Sequence, residues 1–335
     1  MPLKPLLSVI IPMRAGHYPQ KAISCLARAR LLQGPLEIIV VEGQAPSWQR
    51  NEAAKSASAD ILYFLDDDSC VHPDAIREGL QFFCDPKVAV VGGPAITDPE
   101  ASLLEKCIGE VFGSYFGGCI TRARSLPIGD TRAVEGEELV LCNLMIRKTC
   151  YEEVSGLDTR LYPGEDPEFL KRLNARGALM YYHPNLLAFR RRRNSVAAFM
   201  KQGFRYGRGR GLHILEGTRP HDLLFFAPLL FLLYIFTLLF TQSTLLLFPF
   251  WTYLALAAVS SISVAARTRS LPMGLGAFPL FPILHISYAV GMARGLYNYL
   301  RRRSQRNISP VSLTILRLAP DRTREVALAA SARAT

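Results

Sequence analysis

No two of the seven cysteines, Cys25, Cys70, Cys84, Cys107, Cys119, Cys142 and Cys150, form a C-x-x-C pair, and their number is odd. They read as reduced packing residues of a cytosolic domain. The opening residues, Met1–Leu7, lack the apolar core of a signal peptide, which agrees with that compartment. Acidic side chains are the minority, 28 against 39 Lys and Arg, for a net charge of +11. Such a charge suggests nucleic acid, yet zinc-knuckle spacing, an RNA-binding aromatic signature and a helix-turn-helix pattern are all missing, so no nucleic acid is expected. The arginines gather instead at Arg190–Arg193, Arg205–Arg210 and Arg301–Arg306, on either side of an apolar region. That placement fits anionic lipid headgroups and the positive-inside rule. Charge is scarcest from Leu223 to Met292, where only Arg267 and Arg269 interrupt it. Membrane lipids are therefore an expected partner of the C-terminal part.

Half of the 335 residues are apolar, enough for about two domains with a sizeable core. Up to about Arg219 the chain reads as soluble. Leu6–Pro12, Leu36–Glu42 and Ile61–Leu65 are short apolar runs expected as buried strands, with helices at Gln20–Leu32 and Gln49–Ala59 between them. Alternating strand and helix predicts parallel crossover units, whose ligands bind at the carboxyl ends of the strands. Arg14, Glu42 and Asp66–Asp68 would then line one crevice. Three adjacent carboxylates repel unless a cation or hydrogen-bond donors hold them, so Asp66, Asp67 and Asp68 suggest hard-oxygen ligands for Mg2+ or Mn2+. A solvated acidic turn before a helix fits the same residues.

Further along, Pro73–Phe83 should be a helix and Val88–Pro94 a strand. The glycines of Ala101–Arg132 suggest a helix and then an irregular loop, mobile over the site. Glu135–Arg147 should return as a strand holding Asn143, Thr149–Val154 as a short helix and Ala178–Tyr182 as a last strand. Glu165 and Asp166 open a helix, where the macrodipole favours carboxylates, and simple capping explains them equally. Ser195–Leu215 is a basic, partly amphipathic helical stretch suited to the headgroup layer, although Gly203, Gly207, Gly209 and Gly211 weaken it. Leu223–Phe240 and Leu245–Ala266 each approach the roughly 20 residues needed to span a bilayer. A third segment, Leu271–Met292, contains Pro272, Pro279 and Pro282 and would strand Arg294 and Arg301–Arg303 outside. A bent, re-entrant or interfacial segment is therefore preferred to a third crossing.

Together the motifs resemble the family-two inverting glycosyltransferases of GT-A fold. Ser8–Pro12 is similar to the family's first strand, and Glu42 falls where it has an acidic residue. Gln49–Ala54, with Arg50, resembles the helix start before the acidic strand, and Phe64–Asp68 matches the DxD motif. Gly164-Glu-Asp166 matches the catalytic acidic motif, and Lys201–Gly207 resembles the QxxRW signature with Tyr206 in place of tryptophan. Gly43, Gln44 and Ala45 depart from the usual aspartate and serine after the second strand, and Arg190 stands where histidine is frequent. The C-terminal part resembles membrane-anchored members that build lipid-linked and extracellular polysaccharides, with His285, Tyr288 and Gly291 in a similar apolar segment.

The resemblance implies an α/β fold: a Rossmann-like, mostly parallel central sheet over residues 1–194, an amphipathic interfacial region over 195–221, a helical membrane domain over 222–300 and a basic, loosely ordered tail over 301–335. It implies a sugar moved from a nucleotide-diphosphate donor to a polyprenyl-linked acceptor at the inner face of the plasma membrane. Donor contacts fall to Pro12, Arg14, Glu42, Arg50, Asp66 and Asp67. The metal falls to Asp68 first and Asp66 second, and it would neutralise the leaving diphosphate. Asp166 is the expected base, kept ionised by the helix start, with Glu165 in support. Gln202, Arg205 and Tyr206 would reach the diphosphate or the acceptor, unless they serve headgroups. Transfer to polyprenyl phosphate itself is the alternative activity, and a catalytically silent membrane scaffold the alternative without one.

Overall fold

The structure, a computed structural model, describes residues 4–30, 34–161, 164–213, 220–240, 244–301 and 312–318. Tyr162 and Pro163, residues 241–243, where a turn was expected, and most of the tail lie outside those residues. The backbone forms two compact units. The first comprises Met1–Pro99, Ala123–Arg191 and Arg306–Thr335, the second Glu100–Arg122 and Arg192–Gln305.

The first unit opens with β1 (Leu7–Met13), α1 (Gln20–Leu26), β2 (Leu36–Glu42), α2 (Pro46–Ser56) and β3 (Ile61–Leu65). As expected of crossover units, β1 pairs in parallel with β2 on one side and β3 on the other. Next come β4 (Cys70–Val71), α3 (Ala75–Phe82), β5 (Val88–Gly92) and β6 (Ala95–Thr97). After residues of the second unit the chain adds β7 (Arg132–Ala133), β8 (Asn143–Arg147), α6 (Lys148–Glu153), α7 (Glu165–Ala175), β9 (Leu179–Tyr182) and β10 (Ala188–Arg190). In the main sheet the order after β2-β1-β3 is β8-β5-β9-β7, and β4-β10-β6 form a small second sheet. The main sheet is mixed, because β8 runs antiparallel to both β3 and β5. Only Asn143–Arg147 of the expected Glu135–Arg147 strand pairs with neighbours. Its other edge is β11 (Ser312–Leu318), antiparallel to β2, so this part of the tail is not loose.

Strand residues alternate between two buried faces. Ile10, Ile39, Leu62 and Phe64 pack in one core with α2, α6 and α7 residues such as Ala53, Tyr151 and Phe169. Val9, Ile38, Tyr63 and Leu65 pack in the other with Ile23 of α1 and Ile76 of α3. A sheet covered on both faces needs apolar residues at every position, which is why these strands read as unbroken apolar runs. The cysteine expectation fails at one pair: Cys25 of α1 and Cys70 of β4 form a disulfide. The pairing arises from tertiary packing and has no spacing signature. Cys84, Cys107, Cys119, Cys142 and Cys150 are free.

The second unit is helical. α4 (Leu103–Gly113) and the single turn α5 (Tyr115–Gly118) precede α8 (Val196–His213), α9 (Ala227–Leu238), α10 (Phe248–Thr268) and α11 (Leu271–Leu300). α4 starts in a capping box, with Ser102 and Glu105 bonding each other's backbone N–H. It packs Cys107, Ile108 and Val111 against Phe199 of α8, Val264 of α10 and Phe281 of α11. The helix expected at the start of Ala101–Arg132 is therefore α4, and it belongs to the helical core. α11 runs as one continuous helix through Pro279 and Pro282, where breaks were expected. Pro272 sits in its first turn, where no intrahelical N–H bond is lost.

The glycines of α8 are a packing seam. A Cβ at Gly207 would stand 1.9 Å from the carbonyl oxygen of Tyr288, one at Gly203 2.3 Å from the Ser287 hydroxyl, and one at Gly211 2.5 Å from the Met292 carbonyl. The facing surface of α11 is equally bare, with Gly291 against Phe204 and Gly295 against Arg208. Two helices approach this closely only where neither carries a side chain, so the low helix propensity is offset by backbone contact. Overpacking of this kind costs about 1–3 kcal/mol. Gly207→Ala should lower the thermal midpoint of the purified protein by several degrees, whereas Met200→Ala, at a 47% exposed position of the same helix, should leave it nearly unchanged.

Candidate active site

The first unit gathers its polar side chains at the carboxyl ends of β1, β2 and β3. Met13 and Glu42 are register partners there. Gln49, buried at the start of α2, donates to the carbonyls of Met13 at 2.8 Å and Val41 at 2.5 Å and so ties the two strand ends. The Glu42 carboxylate accepts from the Gly16 N–H at 3.3 Å, Pro12 is buried, and Arg14 is exposed beside them.

β3 ends at Leu65, and Asp66–Ser69 close a turn through Ser69 N–H to the Asp66 carbonyl at 3.1 Å. Asp66 is held from two sides. Arg50 of α2 donates to its Oδ1 at 2.9 Å, and Arg190, the last residue of β10, stands 3.3 Å from its Oδ2. The other arm of Arg50 lies 3.5 Å from Glu165 Oε1. One guanidinium thus joins the acidic turn after β3 to the acidic start of α7, and at 6% exposure it is shut off from solvent. Arg50, expected to contact the donor nucleotide, is buried between these two carboxylates. Asp66, expected as a second metal ligand, meets one guanidinium at each of its oxygens.

The start of α7 turns on Gly164, whose φ of 126° only glycine adopts without strain. Glu165 bends back to accept from the Gly164 N–H at 3.0 Å, and Asp166 accepts from the Leu141 N–H at 3.1 Å. Burial, and then the neighbouring Asp166, push the Glu165 carboxyl from 4.5 up to about 8, against the opposing pull of Arg50. Burial also raises Asp67, reinforced by Asp68 and Asp66 and opposed by His17. Negative charge is therefore concentrated on the turn beyond what its solvation supports.

Sequence reasoning missed three contributors. Arg190 was noted only as a departure, and its ion pair with Asp66 depends on β10 ending beside the turn. Cys142 receives the Arg190 Nη1 hydrogen bond at 3.3 Å, and burial pushes its thiol up to about 12, so it stays neutral. Asn143, register partner of Leu65, accepts from the Tyr63 hydroxyl at 2.7 Å and donates to the carbonyls of Pro94 and Leu186. A polar residue within an apolar strand was the available signal for it. Gln202, Arg205 and Tyr206 belong to α8 in the second unit. There Gln202 donates to the Tyr206 hydroxyl at 2.7 Å, and Arg205 and Tyr206 are exposed.

The sequence profile described as glycosyl transferase family group 2 matches residues 61–291, more than half of the chain. The protein belongs to that family. This glycosyltransferase is 23% identical over 275 residues to the dolichyl N-acetyl-α-D-glucosaminyl phosphate 3-β-D-2,3-diacetamido-2,3-dideoxy-β-D-glucuronosyltransferase of Methanococcus voltae, and the match covers 78% of each chain. A solved mannosyltransferase, PcManGT from Pyrobaculum calidifontis in complex with GDP-Man and Mn2+, matches with a TM-score of 0.49 and 15% identity, over 90% of this chain and 88% of that one. Among the described residues of the glycosyltransferase, no three His, Cys, Asp or Glu side chains are grouped to hold a metal ion by themselves.

The raised Glu165 carboxyl gives a pH signature. Because the folded state binds its proton more tightly than the unfolded chain, stability is fully present below pH 4.5 and falls as pH rises to about 8. Glu165→Gln removes that dependence. In thermal melts from pH 5 to pH 8.5, the variant should gain on the wild type as pH rises, and parallel curves would contradict the assignment.

Proposed function

We propose that this glycosyltransferase moves a sugar, with inversion, from a nucleotide-diphosphate donor to a lipid-linked saccharide. The observation that carries the reading is the Arg50 bridge, which makes the acidic turn after β3 and the acidic start of α7 one site. Inversion needs a base on the face of the sugar opposite the leaving group. Asp166 supplies it, oriented by the Leu141 N–H at the positive end of α7. Glu165 keeps its proton at neutral pH and supports Asp166 without adding a second charge. Glu42 and Arg14, at the carboxyl ends of β1 and β2, face the donor's nucleoside side. Gln202 and Arg205 serve the acceptor's phosphate from α8, Arg205 through its bidentate fork.

The carboxylates after β3 suit a hard divalent cation, since burial and then the charges of Asp68 and Asp66 already disfavour the ionised Asp67. Asp68, with Asp67, would hold Mg2+ or Mn2+, the donor's phosphates completing the shell. When bound, such an ion would supply charge neutralisation for the departing diphosphate. Asp66 stands outside this set because Arg50 and Arg190 take its oxygens.

The Methanococcus voltae relative, named for a dolichyl-phosphate-linked acceptor, supports a lipid-linked substrate. So does the second unit, where Thr244–Thr268 and Leu271–Leu300 are long and apolar enough to cross a membrane and Asp222–Leu238 is a shorter apolar helix. A buried core helix would pass the same test, but the apolar window of the first is only 11% buried.

Two variants test the chemistry. Asp166→Asn should cut transfer by about 100-fold or more, the usual range for a lost base, while a nucleotide sugar still raises the melting temperature. Asp68→Ala should abolish the part of that thermal shift that needs Mg2+ or Mn2+, and an undiminished metal-dependent shift would remove Asp68 from the metal site. Product mass on a lipid-linked saccharide against polyprenyl phosphate decides the acceptor.

A further inference from the structure

The acidic turn after β3 has two ends, and they are held differently. At its start Asp66 is gripped by Arg50 and Arg190, and the chain behind it is the buried strand β3. At its far end Ser69 leads into β4, a strand of 2 residues that pairs with β10 only through Val71 with Ala188 and Cys70 with Phe189. So short a ladder is weak by itself. The Ser69 hydroxyl is buried without a hydrogen-bond partner among the described residues and adds no anchor. The strongest link at this end is the disulfide from Cys70 to Cys25, 45 residues away in sequence. Ala22, Ile23 and Leu26 bury α1 in the core that contains β1 and β2 residues, so its support is firm.

The same bond also acts through β10. That strand ends at Arg190, which pairs with Asp66 and donates to Cys142, so steadying β4 steadies both flanks of the turn. Other contacts hold the surrounding fold. Beyond Cys70, the His72 N–H donates to the Leu187 carbonyl at 2.9 Å, and after α1 the Arg30 N–H donates to the Pro73 carbonyl at 2.7 Å. Arg30 also pairs with Asp74 at 3.3 Å. Opening the disulfide therefore loosens the stretch from Asp66 to Val71 and leaves α1 and α3 in place.

The two cysteines are unequal. Cys25 is buried, Cys70 is half-buried, and Arg28 Nη2 lies 3.4 Å from Cys25 Sγ. An incoming thiolate therefore attacks at Cys70, and the guanidinium favours departure of Cys25, since a stabilised leaving thiolate leaves faster. We propose that Cys25–Cys70 is a reversible redox latch on the acidic turn, closed to hold Asp67 and Asp68 ready for the cation and opened by a dithiol reductant. The reductant's thiolate bonds Cys70 Sγ as the S–S bond breaks and its electron pair goes to Cys25. The second thiolate then displaces Cys70, the reductant leaves as a disulfide, and each cysteine takes up one of the protons the dithiol gave up. Two electrons thus pass from the dithiol to the protein, and a disulfide oxidant reverses both steps. The consequence for transfer rests on the cation role proposed for Asp67 and Asp68.

The full chain is treated with dithiothreitol under native conditions and the reductant is removed under nitrogen. One portion is alkylated and digested, and on the rest hydrogen exchange and Mn2+ binding are compared with the untreated protein. Mass measurement should find Cys25 and Cys70 alkylated while the cooperative thermal melt persists. Exchange should accelerate over residues 66–72 and 188–190 and stay unchanged in β1 and β2. Mn2+ affinity, read by electron paramagnetic resonance, should fall by about 10–100-fold, the range for losing groups that orient a metal's ligands. Reoxidation with oxidised glutathione should restore it. Cys25→Ser should match the reduced form with or without dithiothreitol, and if it fails to fold the wild-type comparison decides alone. Equal exchange in the two states, equal Mn2+ affinity in them, or cysteines that react only after unfolding would overturn the proposal. If neither state binds Mn2+, the cation reading fails, and the exchange comparison still decides whether the disulfide holds the turn.

Discussion

Arg50 is the constraint on which the catalytic unit depends. Its guanidinium is buried, and a buried cation is tolerable only when its donors are matched by anions at hydrogen-bonding distance. Asp66 supplies the anion and Glu165 a second carboxyl acceptor, one from the turn that ends β3 and the other from the first turn of α7. The two acidic segments, about a hundred residues apart in sequence, are thereby fixed to the same helix, α2. The bridge also differentiates the carboxylates. Asp66 becomes an anchor between Arg50 and Arg190, Glu165 is buried deeply enough to hold its proton, and Asp68 and Asp166 keep the roles of cation ligand and base in the proposed reaction.

The helical unit depends on a second constraint, backbone contact between α8 and α11. Removing side chains along Gly203, Gly207 and Gly211 lets α8 settle against Ser287, Gly291 and Gly295, leaving little room for rotation or sliding. That rigidity bears on the proposed reaction, which assigns Gln202 and Arg205 of α8 to the acceptor's phosphate. A helix held by glycine contacts on one side can present polar groups on the other without relying on its own propensity. α4 adds to the same core, so residues 100–122, which interrupt the catalytic unit in sequence, are structurally part of the helical one.

Much of the catalytic unit was legible because local pattern and tertiary role coincide in it. Leu36–Glu42 and Ile61–Leu65 are strands with the expected ends, since a strand buried on both faces leaves an uninterrupted apolar run bounded by polar turns. Glu165 and Asp166 open a helix as read. What escaped depends on contacts between distant segments. Cys25 and Cys70 meet through the packing of α1 on β4. The pairing of Asp66 with Arg50 and Arg190 joins three segments far apart in sequence. The glycines of α8 look like flaws by propensity and prove to be contacts, and the prolines of α11 look like breaks in a helix that tertiary packing keeps continuous.

The most direct measurement of the central claim is the steady-state transfer rate of Arg50→Met and Arg50→Lys, alongside donor binding by thermal shift. If Arg50 positions both acidic segments, Arg50→Met should fold less stably and lose most of its kcat while retaining donor binding, and Arg50→Lys should recover part of the rate, limited by the loss of the second arm. A variant that keeps wild-type kcat and loses only donor affinity would contradict the account, making Arg50 a nucleotide contact and leaving the two carboxylate segments independent.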